Sequence, residues 1–171
     1  GISVDEEAVY ITANMFGVSS GSFVDSRIWV VRKKVGTSGG FYFGGPATAK
    51  LLDPPDTGSL NFTLQPAHLF GTHPVTTLGT YFTAYNGISD GTNEYLRVLT
   101  VMNPLASVPT FVTDLVNIGD IEDFSTGTLA PQPVAVPIDI ETSARRVLHS
   151  VWRGNGLYAV TAVVPPVGGP D

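Results

Sequence analysis

Cysteine is absent from all 171 residues, so neither a disulfide nor a thiolate-bound metal can hold this fold together. Charge is scarce as well. Asp, Glu, Lys and Arg make up 14% of the chain, against roughly 25% in ordinary soluble domains. Ser, Thr, Asn, Gly and backbone polar groups must therefore cover the surface, as in many secreted β proteins. Nine basic residues face fifteen acidic ones, for a net charge of −6, and the longest basic run is Arg32-Lys33-Lys34. A nucleic-acid partner needs a basic stripe to neutralise phosphates, so the sequence excludes nucleic acid and, by the same reasoning, an anionic membrane surface. No apolar stretch approaches the roughly 18 residues of a membrane-spanning helix. Gly1–Asp5 has neither the basic region nor the apolar run of an export signal. The expected compartment is extracellular or periplasmic, with any signal lying upstream.

What the sequence does contain is punctuation. Nineteen Gly and thirteen Pro leave little room for a long helix. Between them lie alternating segments rich in Val, Ile, Thr, Tyr and Trp, which predict strands over 8–14, 26–33, 47–52, 80–86, 95–102, 109–117, 146–152 and 156–164. The last two flank Arg153-Gly154-Asn155-Gly156, where Asn155-Gly156 supplies the positive φ angles of a tight hairpin. A single helical turn fits near 103–107 or 119–124. The composition and 43% hydrophobic content describe one folded all-β domain over 1–171.

An internal echo runs through that domain. Tyr10-Ile11-Thr12-Ala13 returns as Tyr81-Phe82-Thr83-Ala84, 71 positions on, and Arg27-Ile28-Trp29-Val30-Val31 returns as Arg97-Val98-Leu99-Thr100-Val101, 70 positions on. A third copy of the first element starts at Tyr158. Units of 1–75, 76–145 and an incomplete 146–171 follow from these shifts. Units of this length suit propeller blades of three or four strands. The expected fold is thus an antiparallel partial β-propeller of about two to three blades, with a two-sheet β-sandwich as the alternative.

The segments VDEEAVYITANMF, SRIWVVRKK, FTLQPAHLFGT, YLRVLTVMNP and RRVLHSVWRGNGLYAV resemble segments of secreted bacterial β-propeller proteins related in architecture to sialidases. The resemblance spans most of the chain and implies fold and compartment, with little chemistry. The aspartate-box turn of sialidases, Ser-x-Asp-x-Gly-x-x-Trp, has its nearest approach here at Ser89-Asp90-Gly91-Thr92, without the spacing or the Trp. No arginine triad can be placed by motif.

Candidate chemistry is correspondingly thin. A glycosidase needs two carboxylates facing each other across a sugar; Asp5, ahead of strand 8–14, and Asp139, ahead of strand 146–152, are the best-placed candidates. Trp29 and Trp152 are the rings available for stacking on a carbohydrate, although large rings in strands more often fill the space between sheets. Asp90, Asn93 and Glu94 cluster oxygens that could hold calcium, but their spacing is not that of an EF-hand loop. His68, His73 and His149 carry no metal-ligand spacing. The reading favours a non-catalytic extracellular binding or structural module without a cofactor, part of a larger propeller; the alternative is part of a glycoside-processing propeller enzyme. Two and a half blades leave an open strand edge and an uncovered apolar face, so self-association, most simply as a dimer, is expected.

Overall fold

The computed structural model describes residues 1–33, 49–52, 54, 61–71, 79–121 and 146–161. Asp139, His73 and residues 162–164 of the last expected strand lie outside them. Within them run β1 (Ile2–Val4), β2 (Ala8–Phe16), β3 (Phe23–Arg32), β4 (Ala49–Leu52), β5 (Gln65–Phe70), β6 (Gly79–Ser89), β7 (Glu94–Met102), β8 (Thr110–Gly119), β9 (Val147–Arg153) and β10 (Gly156–Thr161). The protein is all-β. The stretch 103–107 is a turn closed by Ala106 N donating to Asn103 O at 2.9 Å, with Asn103 at φ 49°, and not a helical turn. No helix among the described residues is long and apolar enough to cross a membrane.

The strands form two sheets, ordered β1-β2-β3-β4 and β10-β9-β5-β6-β7-β8. The expected antiparallel neighbours 8–14 with 26–33, and 80–86 with 95–102, are paired as β2–β3 and β6–β7. One expectation needs correcting: the second sheet is mixed. β5 pairs with β9 in parallel, through Ala67↔Ser150 to Phe70↔Arg153. By sequence, β5 has the look of a Pro-flanked loop. Pro66 cannot donate to a ladder, yet it is tolerated because it pairs only with Phe82 of β6, before the β9 ladder begins at Ala67. The strand pairing also cuts across the expected units, since β5 of the first is bonded to strands of the second and third.

Both sheets turn apolar side chains to one core. Ala8 and Tyr10 of β2, Ile28 and Val30 of β3, and Leu52 of β4 meet Phe82 and Ala84 of β6 and Leu99 and Val101 of β7, with Leu64 between. Alternation along each strand makes this work, because every second residue points the same way. The Tyr10 and Phe82 rings meet edge to face, centroids 6.0 Å apart at 87°, the geometry that ring quadrupoles favour.

The echoed segments share a register. Tyr10 pairs with Val30 and Ile11 with Trp29; their counterparts Tyr81 with Thr100 and Phe82 with Leu99 pair in the same way. Yet opposite parities face the common core. Tyr10 is inward in its hairpin, whereas in the second it is Phe82, and Tyr81 stacks on Trp152 behind the sheet at 4.9 Å and 13°. A strand needed on both faces cannot alternate between apolar and polar, and β6 does not: Thr80, Phe82, Thr83, Ala84 and Tyr85 are all buried. Arg27 and Arg97, which lead the echoed strands, differ likewise. Arg97 is buried and donates to Thr113 Oγ1 at 3.2 Å, while Arg27 is partly exposed beside Asp25 at 3.5 Å.

Candidate functional site

Two turns repeat one construction. Entering β2, Oδ1 of Asp5 accepts from the backbone N–H of Glu7 and of Ala8, both at 2.8 Å, and Oδ2 accepts from the Tyr10 hydroxyl at 2.6 Å. Entering β7, Oδ1 of Asp90 accepts from Thr92 N at 2.9 Å and Asn93 N at 2.8 Å, and Oδ2 from the Tyr95 hydroxyl at 2.6 Å. Short Asp side chains compete for backbone N–H groups in this way at turns. In each case all three donors commit the carboxylate to closing a turn. In this arrangement Asp5 closes a turn, with both of its carboxylate oxygens engaged.

The electrostatics follow. Tyr95, then the Asn93 and Thr92 N–H groups, hold the Asp90 carboxyl at about 2, below its ordinary 3.8. The same hydrogen bond pushes the Tyr95 phenol up. Burial first, then the Asp5 charge, push the Tyr10 phenol up much further. Of the expected calcium donors, Asp90 is thus engaged by protons on both oxygens, and the buried Glu94 accepts from Ile121 N through Oε2 at 2.7 Å. Among the described residues no group of three or more His, Asp or Glu converges as a metal site.

Trp152 and Trp29 sit in different settings. Trp152 is stacked on Tyr81 and couples β9 to β6. Trp29 is half-buried on the outer face of the first sheet, and there it belongs to a row. Ile2 pairs with Ile11, Ile11 with Trp29, and Trp29 with Leu51, so four apolar side chains stand shoulder to shoulder across all four strands. Ile2 is 59% exposed, Ile11 38% and Leu51 48%. Val4, Val9 and Val31 pair in a second row beside it, all half-buried. Alternation in the sequence places Val9, Ile11, Trp29, Val31 and Leu51 in expected strands but not Ile2 and Val4, and it cannot say which rows align, because that depends on the three registers together.

Two concave features complete the surface. A depression of about 270 Å³ is lined by Glu7, Arg32, Asn103, Pro104, Leu105 and Ala106; beside it Lys50 Nζ donates to the Ala106 and Ser107 carbonyls, tying β4 to the turn after β7. A smaller one of about 80 Å³ lies between Gly1, Thr12–Asn14 and Thr63–Leu64. Its wall is a polar network: Asn14 Oδ1 accepts from Ser26 Oγ at 3.0 Å and from Thr63 N at 2.8 Å, and Asn14 Nδ2 donates to Thr63 Oγ1 at 3.0 Å. The two Thr63 bonds fix the 61–64 segment against β2, with Thr63 held at φ 59°, a strained setting for a β-branched residue.

The arrangement thus offers an apolar sheet face and structural polar contacts, with neither a free carboxylate pair nor a nucleophile beside a base among the residues the sequence singled out and the structure describes. Comparison of the chain with protein-family models, with characterised proteins and with solved structures finds no match.

Proposed function

We propose that this chain is a non-catalytic extracellular or periplasmic module, part of a β-propeller, that works by docking its first sheet onto another sheet. The observation that carries this reading is the in-register outer row Ile2, Ile11, Trp29 and Leu51, exposed as far as 59% at Ile2. Contiguous apolar patches of several hundred Å² are rarely left bare on soluble monomers and mark interaction surfaces.

Three features support the propeller reading. The first sheet is a four-stranded meander, and β5-β6-β7-β8 forms a second in the same up-and-down order, with the β9–β10 hairpin as the start of a third. The strands that would lie innermost, β5 and β9, run in the same direction, although a hydrogen-bonded ladder also joins them into one sheet, and β1 lies against β5. Stacked blades also use opposite faces towards successive neighbours, which fits the inverted parity of Tyr10 and Phe82. Two and a half blades fall short of the 4–8 of a closed ring, so the outer face of the first sheet is where a further blade, or a second copy, would stack.

The docking reading is tested by light scattering at micromolar concentration on the chain and on Trp29→Lys. The chain is expected to run as a dimer hiding about 1,500 Å² in total, and the charged variant as a folded monomer whose far-UV circular dichroism matches the parent's. A single-chain mass for the unmodified protein, persisting on concentration, would overturn it.

A further inference from the structure

The seam between β5 and β9 places two histidines side by side. His68 of β5 pairs with Val151 of β9, and His149, two residues earlier on the same face, lies diagonally opposite. Their rings stack with centroids 5.4 Å apart at an angle of 16°. His149 is exposed and His68 half-exposed, and neither imidazole is hydrogen-bonded to a described residue. Around them stand Phe70, 6.2 Å from His68 and 57% exposed, and Val160, which pairs with His149 and is 59% exposed. Arg153, in register with Phe70, is exposed to solvent. Two imidazoles that meet in an apolar setting, with no carboxylate among these neighbours, have little to gain from each other electrostatically. They are soft enough donors to share a cation.

We propose that His68 and His149 form a two-imidazole site for a divalent metal of the zinc, nickel or copper class, which bridges β5 and β9. Zinc–nitrogen bonds are about 2.0–2.1 Å, which puts two rings sharing one ion at tetrahedral angles with centroids roughly 5 Å apart. The observed separation meets that requirement. The stacked orientation, at 16° between rings, does not aim two nitrogens at one point; binding requires the rings to turn about their Cβ–Cγ bonds, a torsion that is broad and soft for histidine. Imidazole suits zinc, nickel and copper, whereas calcium and magnesium prefer oxygen. Two protein ligands leave the remaining positions to water or to a donor group on a bound molecule, as open metal sites do. The metal would tie the C-terminal hairpin to the rest of the sheet at a seam of only four paired positions.

The test is calorimetric titration of zinc chloride into the tag-free chain near pH 7.5, with thermal melts alongside. The expected result is one zinc per chain and a melting temperature raised by zinc, because an ion that binds only the folded state stabilises it by mass action. His68→Ala and His149→Ala should each weaken binding by at least about tenfold, since losing a direct ligand costs no less than losing one of its supporting partners. Each should also abolish the zinc-dependent rise in melting temperature. His149 is exposed, so His149→Ala should fold with the metal-free stability of the parent and serve as the decisive variant. His73→Ala should bind as the parent does. Absence of binding in the parent, or parental affinity in His149→Ala, overturns the proposal.

Discussion

The Tyr10 hydroxyl donates to Oδ2 of Asp5 at 2.6 Å, across a spacing of five residues that Tyr95 and Asp90 reproduce at 2.6 Å. The two clamps differ in setting: Tyr10 is in the core, whereas Asp90 and Tyr95 are at the surface. Removing a partner from the buried clamp should cost more. Tyr10→Phe is expected to destabilise by about 1–3 kcal/mol, the usual penalty for stranding a buried hydrogen-bonding group. Tyr95→Phe should barely move stability, because solvent replaces an exposed partner. Urea denaturation of both variants checks the contrast.

The exposed clamp makes a pH prediction. Asp90 holds its proton only below about 2, against an ordinary 3.8, so its folded value lies beneath its unfolded one. Its contribution is therefore present above 3.8 and is lost as pH falls from there towards 2. Tyr95→Phe removes the largest cause of the shift and should move the Asp90 titration midpoint upwards. Carboxyl carbon shifts followed by NMR from pH 5 down to pH 1.5 (roughly the span of both values) read this directly. An unmoved midpoint would show that the backbone donors alone hold the charge.

In the core, Phe82 meets Tyr10 edge to face and is fully buried. Phe82→Ala is expected to cost about 3–5 kcal/mol through lost burial and the cavity left behind. Tyr81→Ala, one position away but on the other side of β6, should cost less, since it forfeits mainly the stack on Trp152 at 4.9 Å, worth about 0.5–1.5 kcal/mol beyond area. Denaturation midpoints for the pair measure how unequally the two faces of β6 contribute.

The β9–β10 hairpin is expected from sequence to turn at Asn155-Gly156; the structure moves that tip back by one residue. Gly154 at φ 57° and Asn155 at φ 65° occupy the turn, and Gly156 pairs in register with Arg153. Positive φ at both central positions is the type I′ requirement. Gly154→Val should therefore destabilise by about 1–2 kcal/mol or more, because a β-branched residue resists the left-handed region. A Cβ added at Gly156 would meet only the Tyr158 ring, at 2.9 Å, and that residue is 59% exposed, its ring free to swing aside. Thermal melts should rank Gly154→Val well below Gly156→Val.

How much of this is legible in the sequence depends on whether the signal is local. Strands 8–14, 26–33, 80–86 and 95–102 stand within a few residues of β2, β3, β6 and β7, because alternation and β-branched residues report a half-buried strand directly. β1 is three residues long and β5 contains Pro66, so neither carries a pattern. The parallel β5–β9 pairing, and with it the His68–His149 contact, joins segments about 80 residues apart, beyond anything spacing can encode. The Asp-x-x-x-x-Tyr clamps are present in the sequence at Asp5–Tyr10 and Asp90–Tyr95. They go unread when Asp5 is weighed for acid–base work and Asp90 for calcium, rather than either for turn closure.

The four-position β5–β9 ladder also bears on how the molecule opens. Its four paired positions close a loop running from Phe70 to Ser150 and beyond, so the chain must fix that long excursion before those hydrogen bonds form. The β2–β3 and β6–β7 hairpins need no such closure. The β9–β10 hairpin is therefore expected to detach before the β2–β3 and β6–β7 hairpins open, with its amides exchanging with solvent ahead of those of Phe82 and Leu99. A native chain in which β9 and β10 have peeled away, while the sheets flanking Tyr10 and Phe82 stay closed, is the first excited state this topology permits.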